Sequence, residues 1–124
     1  MKDPSNPVCR TISTLLSRIG DKWTVLVVAT LGDGPRRFNE LRREIPSVSQ
    51  RMLTLTLRNL ERDGIVNRTV TPSIPPRVDY ELTPLGHSLL KPITGLTEWA
   101  LDNVTAIHEA QARFDAEADR RQAA

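Results

Sequence analysis

Hydrophobic residues in the middle of the chain recur with two different periods, which predict two short helices followed by a β-hairpin. The second helix carries three leucines, spaced four and then three residues apart: Leu53, Leu57 and Leu60. This spacing places them on one side of a helix that Asp63 and Gly64 would end. Ser47 and Ser49 are alternative N-caps for this helix, and Ser47 would also form a capping box with the glutamine three positions later.

A shorter helix precedes this one. Asn39 is its predicted N-cap, and Leu41 and Ile45 lie four residues apart on its buried side. Because Pro46 cannot continue a helix, the helix must end there. The intervening turn, Pro46 to Val48, then has about three residues, which is the length that a helix-turn-helix unit requires.

The segment after the second helix predicts a β-hairpin. Apolar and polar side chains alternate over residues 78–82, as in a half-buried strand, and residues 65–71 are its predicted partner. The segment between them, 72–76, contains too much proline to pair, so it should project as a wing tip with Arg77 at its base. Helix, turn, helix and wing in this order predict a protein that places its second helix in the major groove of DNA.

We expect the whole chain, 1–124, to form one winged helix-turn-helix domain that is mostly α-helical with a small β-hairpin wing. A length of 124 residues suffices for one modest core. A short strand at 35–38 could pair with the wing. The predicted segments are two N-terminal helices at 9–32, the helix-turn-helix and wing at 36–83, a C-terminal dimerisation helix at 84–118 and a frayed tail at 119–124.

The predicted C-terminal helix has an unusually long apolar face. Pro92 and Gly95 interrupt its pattern, so we expect a kink or a break there. Since the face is longer than a small core needs, we expect it to pack against the N-terminal helix of a second copy and form a homodimer, the alternative being that the helix folds back on its own domain. The predicted interface residues are Ile12, Leu16, Ile93, Leu96, Trp99, Val104 and Ile107.

Charge is unevenly distributed along the chain, although the formal total is only +2. Between Arg36 and Arg77, nine arginines face four acids, a net charge of +5. From Glu98 to the end, three arginines face six acids, a net charge of −3. A basic centre of this kind would attract phosphate, while the alternative is that the arginines only solvate helix surfaces.

Other function classes find little support in the sequence. No apolar run is long enough for a membrane span and no signal peptide is visible, so we expect a cytoplasmic protein. His87 and His108 have no neighbouring ligands at metal-binding spacing, and no catalytic constellation, cofactor motif or glycine-rich phosphate loop is present. We therefore expect neither an enzyme nor a bound cofactor or metal. A winged-helix adaptor for protein or structured RNA is the rival hypothesis, but it would favour apolar residues on the outer side of the second helix.

Several blocks of the sequence together resemble the HxlR-type winged helix-turn-helix transcriptional regulators of bacteria. The blocks are IGDKW at 19–23, GPRRFNELRR at 34–43, SQRMLTLTLRNLERDGIV at 49–66 and PPRVDYELTPLG at 75–86, preceded by Cys9. They cover the chain from about residue 9 to residue 99 in the right order. The resemblance implies a dimeric transcription factor that binds a double-stranded, inverted-repeat operator near the bacterial promoter it controls.

The resemblance places the recognition helix at Ser49 to about Asp63. Gln50 and Arg51 are the expected base-edge contacts, because glutamine pairs with adenine and arginine with guanine through two hydrogen bonds. For Arg62 and Arg68, pairing with nearby acids is at least as good an interpretation as DNA contact. The expected contacts to the DNA backbone or minor groove are Ser49, Thr54, Arg58, Arg36, Arg37, Arg43 and Arg77.

Cys9 is the only cysteine, which excludes an intramolecular disulfide and a cysteine-based zinc finger. It lies before or within the first turn of the first helix, where the helix dipole and Arg10 would favour a reactive sulfur. Some members of the resembled family sense oxidants or electrophiles through a cysteine near this place, so a sensor of oxidants or electrophiles is one hypothesis. The other is a small apolar residue packed under the dimer interface.

Overall fold

The computed structural model describes residues 6–123 and confirms the predicted fold class. The helices in that range are α1 (Pro7–Ile19), α2 (Lys22–Leu31), α3 (Phe38–Glu44), α4 (Gln50–Arg62) and α5 (Pro84–Ala123). The strands are β1 (Arg36–Arg37), β2 (Val66–Thr71) and β3 (Arg77–Leu82). The helix-turn-helix unit is therefore α3 and α4, and the wing is β2 and β3.

The three strands form one antiparallel sheet in the order β1-β3-β2. In the wing, the register runs from the Val66–Leu82 pair to the Thr71–Arg77 pair, which leaves residues 72–76 as the tip. The predicted strand at 35–38 is present as the two residues of β1, and Arg36 pairs with Tyr80 of β3. This pairing attaches the start of the helix-turn-helix unit to the wing.

The hydrophobic core lies in the structural unit that ends at Lys91, where α2, α3 and α4 meet the sheet. The three leucines predicted for one side of α4 are all buried. The largest fully buried side chains are Leu31, Leu41, Leu53, Leu57, Leu60, Val27, Val28 and Val66. Because only this side of α4 contributes to the core, its polar side stays uncovered within the unit.

The sequence predicts the N-cap of α4 correctly, as one of two alternatives, but not that of α3. Helix α3 begins at Phe38 with Arg37 as N-cap, so the prediction of Asn39 is wrong. The reason is a contact that periodicity does not reveal: the Arg37 backbone N–H donates to Glu40 Oε1 at 3.0 Å. Helix α4 is capped by Ser49, whose Oγ accepts the Met52 backbone N–H at 3.1 Å.

A small hydrogen-bonded junction joins the end of α4 to the start of α5. Helix α4 ends as predicted at Asp63 and Gly64, and Gly64 adopts a φ of 75° that favours glycine. Thr83 then donates its backbone N–H to the Ile65 carbonyl at 3.0 Å, and its Oγ1 accepts the Gly86 N–H at 3.0 Å. The same two segments thus fix the C-terminal end of α4 and the first turn of α5.

Helix α5 continues without interruption from Pro84 to Ala123, so of the predicted kink or break at Pro92 and Gly95 the break is absent, and the kink stays a prediction. A proline removes one backbone hydrogen bond, which leaves the rest of a long helix intact. A second structural unit nevertheless begins at Pro92, and the helix extends five residues beyond the predicted boundary at 118. Of the predicted single domain, residues 1–5 and 124 lie outside the described range.

Candidate nucleic-acid interface

The side of α4 opposite its buried leucines carries the residues predicted to contact bases. Gln50, Arg51, Thr54 and Arg58 are all exposed, and with Leu55 they line one open depression. Leu55 was not among the predicted site residues, although helical periodicity alone would have placed it on this side. The outer side of α4 is therefore a polar surface with one leucine in it.

Two of the exposed arginines of α4, Arg51 and Arg58, are available to bind DNA. Neither Arg51 nor Arg58 forms an ion pair with any residue in the range 6–123. Ser49 uses its oxygen as an acceptor in the N-cap, so its hydroxyl proton remains available to a phosphate oxygen. Thr54, in contrast, donates its hydroxyl proton to the Gln50 carbonyl at 2.8 Å.

Three arginines predicted to contact the DNA backbone or minor groove lie around one cleft, between α3 and the tip end of the wing. They are Arg37, Arg43 and Arg77, and the other lining residues include Asn39 and Glu40. Two of the three have acidic neighbours: Arg37 Nε lies 3.9 Å from Glu40 Oε1, and Arg77 Nε lies 2.9 Å from the Asp79 carboxylate. With three guanidinium groups and one carboxylate in its lining, the cleft has the charge expected of a phosphate site.

Arg36 lies outside this cleft and is held by other parts of the protein. Its Nε donates to Glu44 Oε2 at 2.8 Å, and its Nη1 donates to the carbonyls of Gly34 and Pro35 at 3.1 Å each. The hydrogen bond that Arg36 donates to the Glu44 carboxylate raises the pKa of the Arg36 guanidinium above its usual value. These contacts connect β1 to the end of α3, so Arg36 positions the helix-turn-helix unit.

Within residues 6–123, the structure does not show the pairing with Glu61, Asp79 or Glu81 that was one of the two interpretations of Arg62 and Arg68. Both side chains are exposed, and neither forms an ion pair within the described part of the chain. Asp79 pairs with Arg77 instead. An ion pair that the sequence did not predict joins Arg18 of α1 to Asp63 at the end of α4, and both side chains are about four-fifths buried, at 22% and 20% exposure.

Exposed apolar residues occur in both structural units. In α1, Leu15 and Leu16 are exposed while Ile12 is half-buried. In the unit that begins at Pro92, four predicted interface residues are between 39% and 62% exposed, whereas Ile93 is buried. The four are Leu96, Trp99, Val104 and Ile107. Within the unit they form an apolar row on one face of α5, which we call the α5 row.

The remaining predictions concern Cys9, metals and membranes. Cys9 is the third residue of α1 and is buried, at 9% exposure. In the range 6–123, His, Cys, Asp and Glu side chains form no group that could hold a metal ion. Among the described helices, none combines the length and the apolar character needed to cross a bilayer.

The arrangement of α3, α4 and the wing, with an arginine-lined cleft beside an uncovered polar helix surface, defines a winged helix-turn-helix protein of the DNA-binding class. Comparison with known families agrees. The sequence model of the HxlR-like helix-turn-helix family matches residues 18–108, which is most of the chain. The protein belongs to the HxlR family and is a helix-turn-helix transcriptional regulator.

Individual relatives support the same assignment. The HTH-type transcriptional regulator YdeP of Bacillus subtilis is 42% identical over 106 residues, covering 86% of this chain and 83% of YdeP. The solved structure of the redox regulator HypR in its reduced form has a TM-score of 0.74 and 42% identity, covering 80% of this chain and 98% of HypR. Diamide-treated YodB from B. subtilis has a TM-score of 0.67 and 36% identity, covering 78% and 96% respectively.

Proposed function

We propose that this regulator binds an inverted-repeat operator as a homodimer and recognises its sequence with the outer side of α4. The observation that carries the proposal is the surface formed by Gln50, Arg51 and Arg58, in which both arginines lack an acidic partner within residues 6–123. An α-helix of this kind fits the major groove, where each base pair presents a distinct pattern of donors and acceptors. Such a protein would act in the cytoplasm, on chromosomal DNA.

Two groups of residues would have separate roles. Gln50 and Arg51 would contact base edges, because both lie in the first turn of α4 and both can form two hydrogen bonds with one base. Backbone contacts would come from the arginine cleft, with Arg77 beside the minor groove, and from the N-cap hydroxyl of Ser49. Phosphate contacts set affinity and base contacts set sequence preference, so the two roles are separable by experiment.

Selection from a random duplex library tests the DNA-binding part of the proposal. We expect enrichment of an inverted repeat whose half-sites lie about one helical turn apart. Enriched duplexes should retain binding in the presence of excess genomic competitor. Enrichment of no duplex, or equal binding to the competitor, would contradict the proposal and favour the adaptor hypothesis.

The α5 row supports the homodimer. It runs from Leu96 to Ile107 along a helix that leaves these side chains uncovered in its own unit, and a row of this kind is stable when a second copy covers it. Leu96→Asp should therefore give a monomer at micromolar concentration in sedimentation equilibrium and weaken operator binding. Thr105 provides a control in the same helix, because it is exposed and lies about 180° around the helix from Leu96, so Thr105→Asp should remain dimeric. A monomeric wild type with full operator affinity would exclude the dimer.

We further propose that oxidants change operator binding through Cys9. The support is the similarity to HypR, which has been solved in reduced and oxidised forms, and to YodB, which has been solved after diamide treatment. Because this chain has one cysteine, a disulfide would have to join two copies, each thiol losing one proton and one electron to diamide. Operator affinity should change with diamide in the wild type and stay constant in Cys9→Ser. Unchanged affinity with Cys9 shown by mass spectrometry to be modified would leave Cys9 with a packing role only.

A further inference from the structure

The outer side of α4, which faces away from the core, contains one exposed leucine, Leu55. Successive residues of an α-helix are about 100° apart, so Leu55 lies about 200° around the helix from the buried Leu53. Leu55 is 49% exposed, whereas Leu53 is fully buried. Leu55 therefore lies on the outer side of α4, at the edge of the surface that the proposed function assigns to DNA.

The neighbours of Leu55 are the residues proposed to contact DNA. Arg51 lies one turn before it and Arg58 one turn after it, and both line the same open depression as Leu55. Gln50 and Thr54 complete that lining. When α4 lies in the major groove, the Leu55 side chain enters the same groove as Arg51, because the two residues lie one turn apart on the outer side of the helix.

We propose that Leu55 recognises a thymine in each operator half-site through the 5-methyl group of the base, an inference that rests on the proposed function. The thymine methyl is the apolar group that distinguishes this base in the major groove. A leucine side chain has no hydrogen-bonding atom, so it gains free energy there by burying apolar surface. Against a cytosine amino group or a purine nitrogen, it would instead remove water from a polar atom without replacing the hydrogen bond.

A protein partner for Leu55 is less well matched to the surroundings. Leu55 also borders a second depression, towards α1, and the side chains that α1 contributes to it are polar or charged. They are Thr14, Ser17 and Arg18. An apolar protein segment entering there would meet few apolar side chains, whereas the methyl group of a base needs only the leucine itself.

Deoxyuridine substitution tests the inference, because it removes the methyl group of thymine and keeps base pairing. Each thymine of the selected operator is replaced in turn, symmetrically in both half-sites, and Kd is measured for wild type and Leu55→Ala. At one position, we expect deoxyuridine to weaken wild-type binding by about fourfold per half-site, the value for one buried methyl group. The same substitution should leave the Kd of Leu55→Ala unchanged.

Two further variants make the result specific. Leu55→Met keeps an apolar side chain and should retain the preference for thymine over deoxyuridine. Leu26→Ala removes a leucine of α2 that is 42% exposed, and it should show the wild-type preference at every position. Thermal melts followed by circular dichroism verify that all variants are folded, which we expect because alanine favours an exposed helical position.

The outcomes distinguish this inference from the proposed function. If the library yields no preferred duplex, the DNA-recognition function itself fails. If an operator is found but no thymine in it is sensitive to loss of its methyl group, the inference about Leu55 is wrong while the function stands. The inference is also wrong if the sensitive thymine keeps the same preference in Leu55→Ala.

Discussion

Substitution of Gly86 should destabilise the junction that holds the end of α4 against the start of α5. A Cβ atom added at Gly86 would lie 2.2 Å from the Ile65 carbonyl oxygen and 3.1 Å from Leu82 Cδ2. Ordinary contacts of a Cβ atom begin at 3.4 Å, so the backbone segments at Gly86 and Ile65 must move apart by more than an ångström. The Ile65 carbonyl oxygen also accepts a hydrogen bond from the Thr83 backbone N–H, and this bond would weaken if the two segments moved apart.

Three contributions determine the size of the effect of Gly86→Ala on the free energy of unfolding. Overpacking costs about 1 to 3 kcal/mol, and loss of a partly buried backbone hydrogen bond costs about 1 kcal/mol. The higher helix propensity of alanine offsets about 1 kcal/mol of this loss. We therefore expect Gly86→Ala to be about 2 kcal/mol less stable than wild type, with a Tm lower by roughly 8 °C.

Gly95→Ala provides a control in the same helix. A Cβ atom at Gly95 has no other atom within 4 Å, so this substitution should raise stability through helix propensity alone, by about 0.5 to 1 kcal/mol. Urea denaturation followed by circular dichroism measures both variants at one protein concentration. Gly86→Ala with wild-type stability would show that the close approach to Ile65 does not constrain the junction.

Three further substitutions test the interface and its support. Arg51→Ala should lose about 1 to 3 kcal/mol of operator binding and relax the preference at one base pair, whereas Arg77→Ala should weaken binding to all duplexes and reduce the salt slope by about one. Equal operator affinity of Arg51→Ala and wild type would refute the base contact. Arg18→Ala should destabilise the protein by about 1 to 2 kcal/mol, since its pair is mostly buried, and exchanging Arg18 and Asp63 should recover most of that loss. Ser49→Ala should lower the free energy of unfolding, measured by urea denaturation, by about 1 kcal/mol, while Ser49→Gly should lower it by only a few tenths of a kcal/mol. Equal losses of stability in the two variants would argue against the N-cap.

The elements that the sequence predicted well are those in which local pattern and packing agree. The spacing of Leu53, Leu57 and Leu60 gave the buried side of α4, and the same spacing repeats in the structure because that side meets the core. The wing was equally clear, since prolines on either side of residues 73–74 exclude pairing at the tip. Gly64 ended α4 because its positive φ suits glycine.

The errors occur where a long-range or side-chain contact decides the outcome. Asn39 is a good N-cap by residue type, but the bond between the Arg37 N–H and Glu40 starts α3 earlier. Asp79 pairs with Arg77 two positions away on the same strand, an arrangement that residue spacing did not suggest. Pro92 does not break α5, because one missing hydrogen bond does not end a helix of 40 residues.

In the candidate site, too, local sequence pattern predicts some features and tertiary contacts decide the others. The outward positions of α4 follow from periodicity, whereas the internal partners of Arg36 depend on how β1 lies against α3. Leu55 was not among the predicted site residues, although its outward position follows from the same periodicity as that of Arg51. Periodicity therefore predicts where a side chain points, and tertiary structure decides whether that side chain is available.

The way α4 is held explains how base contacts and phosphate contacts can be separated. Its N-terminus is capped by Ser49, and its C-terminal end is fixed twice, by the Arg18–Asp63 ion pair and by the bonds between Thr83 and residues 64–65. Side chains on a helix fixed at both ends keep a constant spacing, which base recognition requires. The arginine cleft, in contrast, takes Arg77 from the wing and Arg43 from α3, and charge attraction to phosphate tolerates variation in position. Substitutions of Gln50 or Arg51 should therefore alter sequence preference at constant overall affinity for unrelated duplexes, and substitutions in the cleft should lower affinity for all duplexes and reduce the salt dependence.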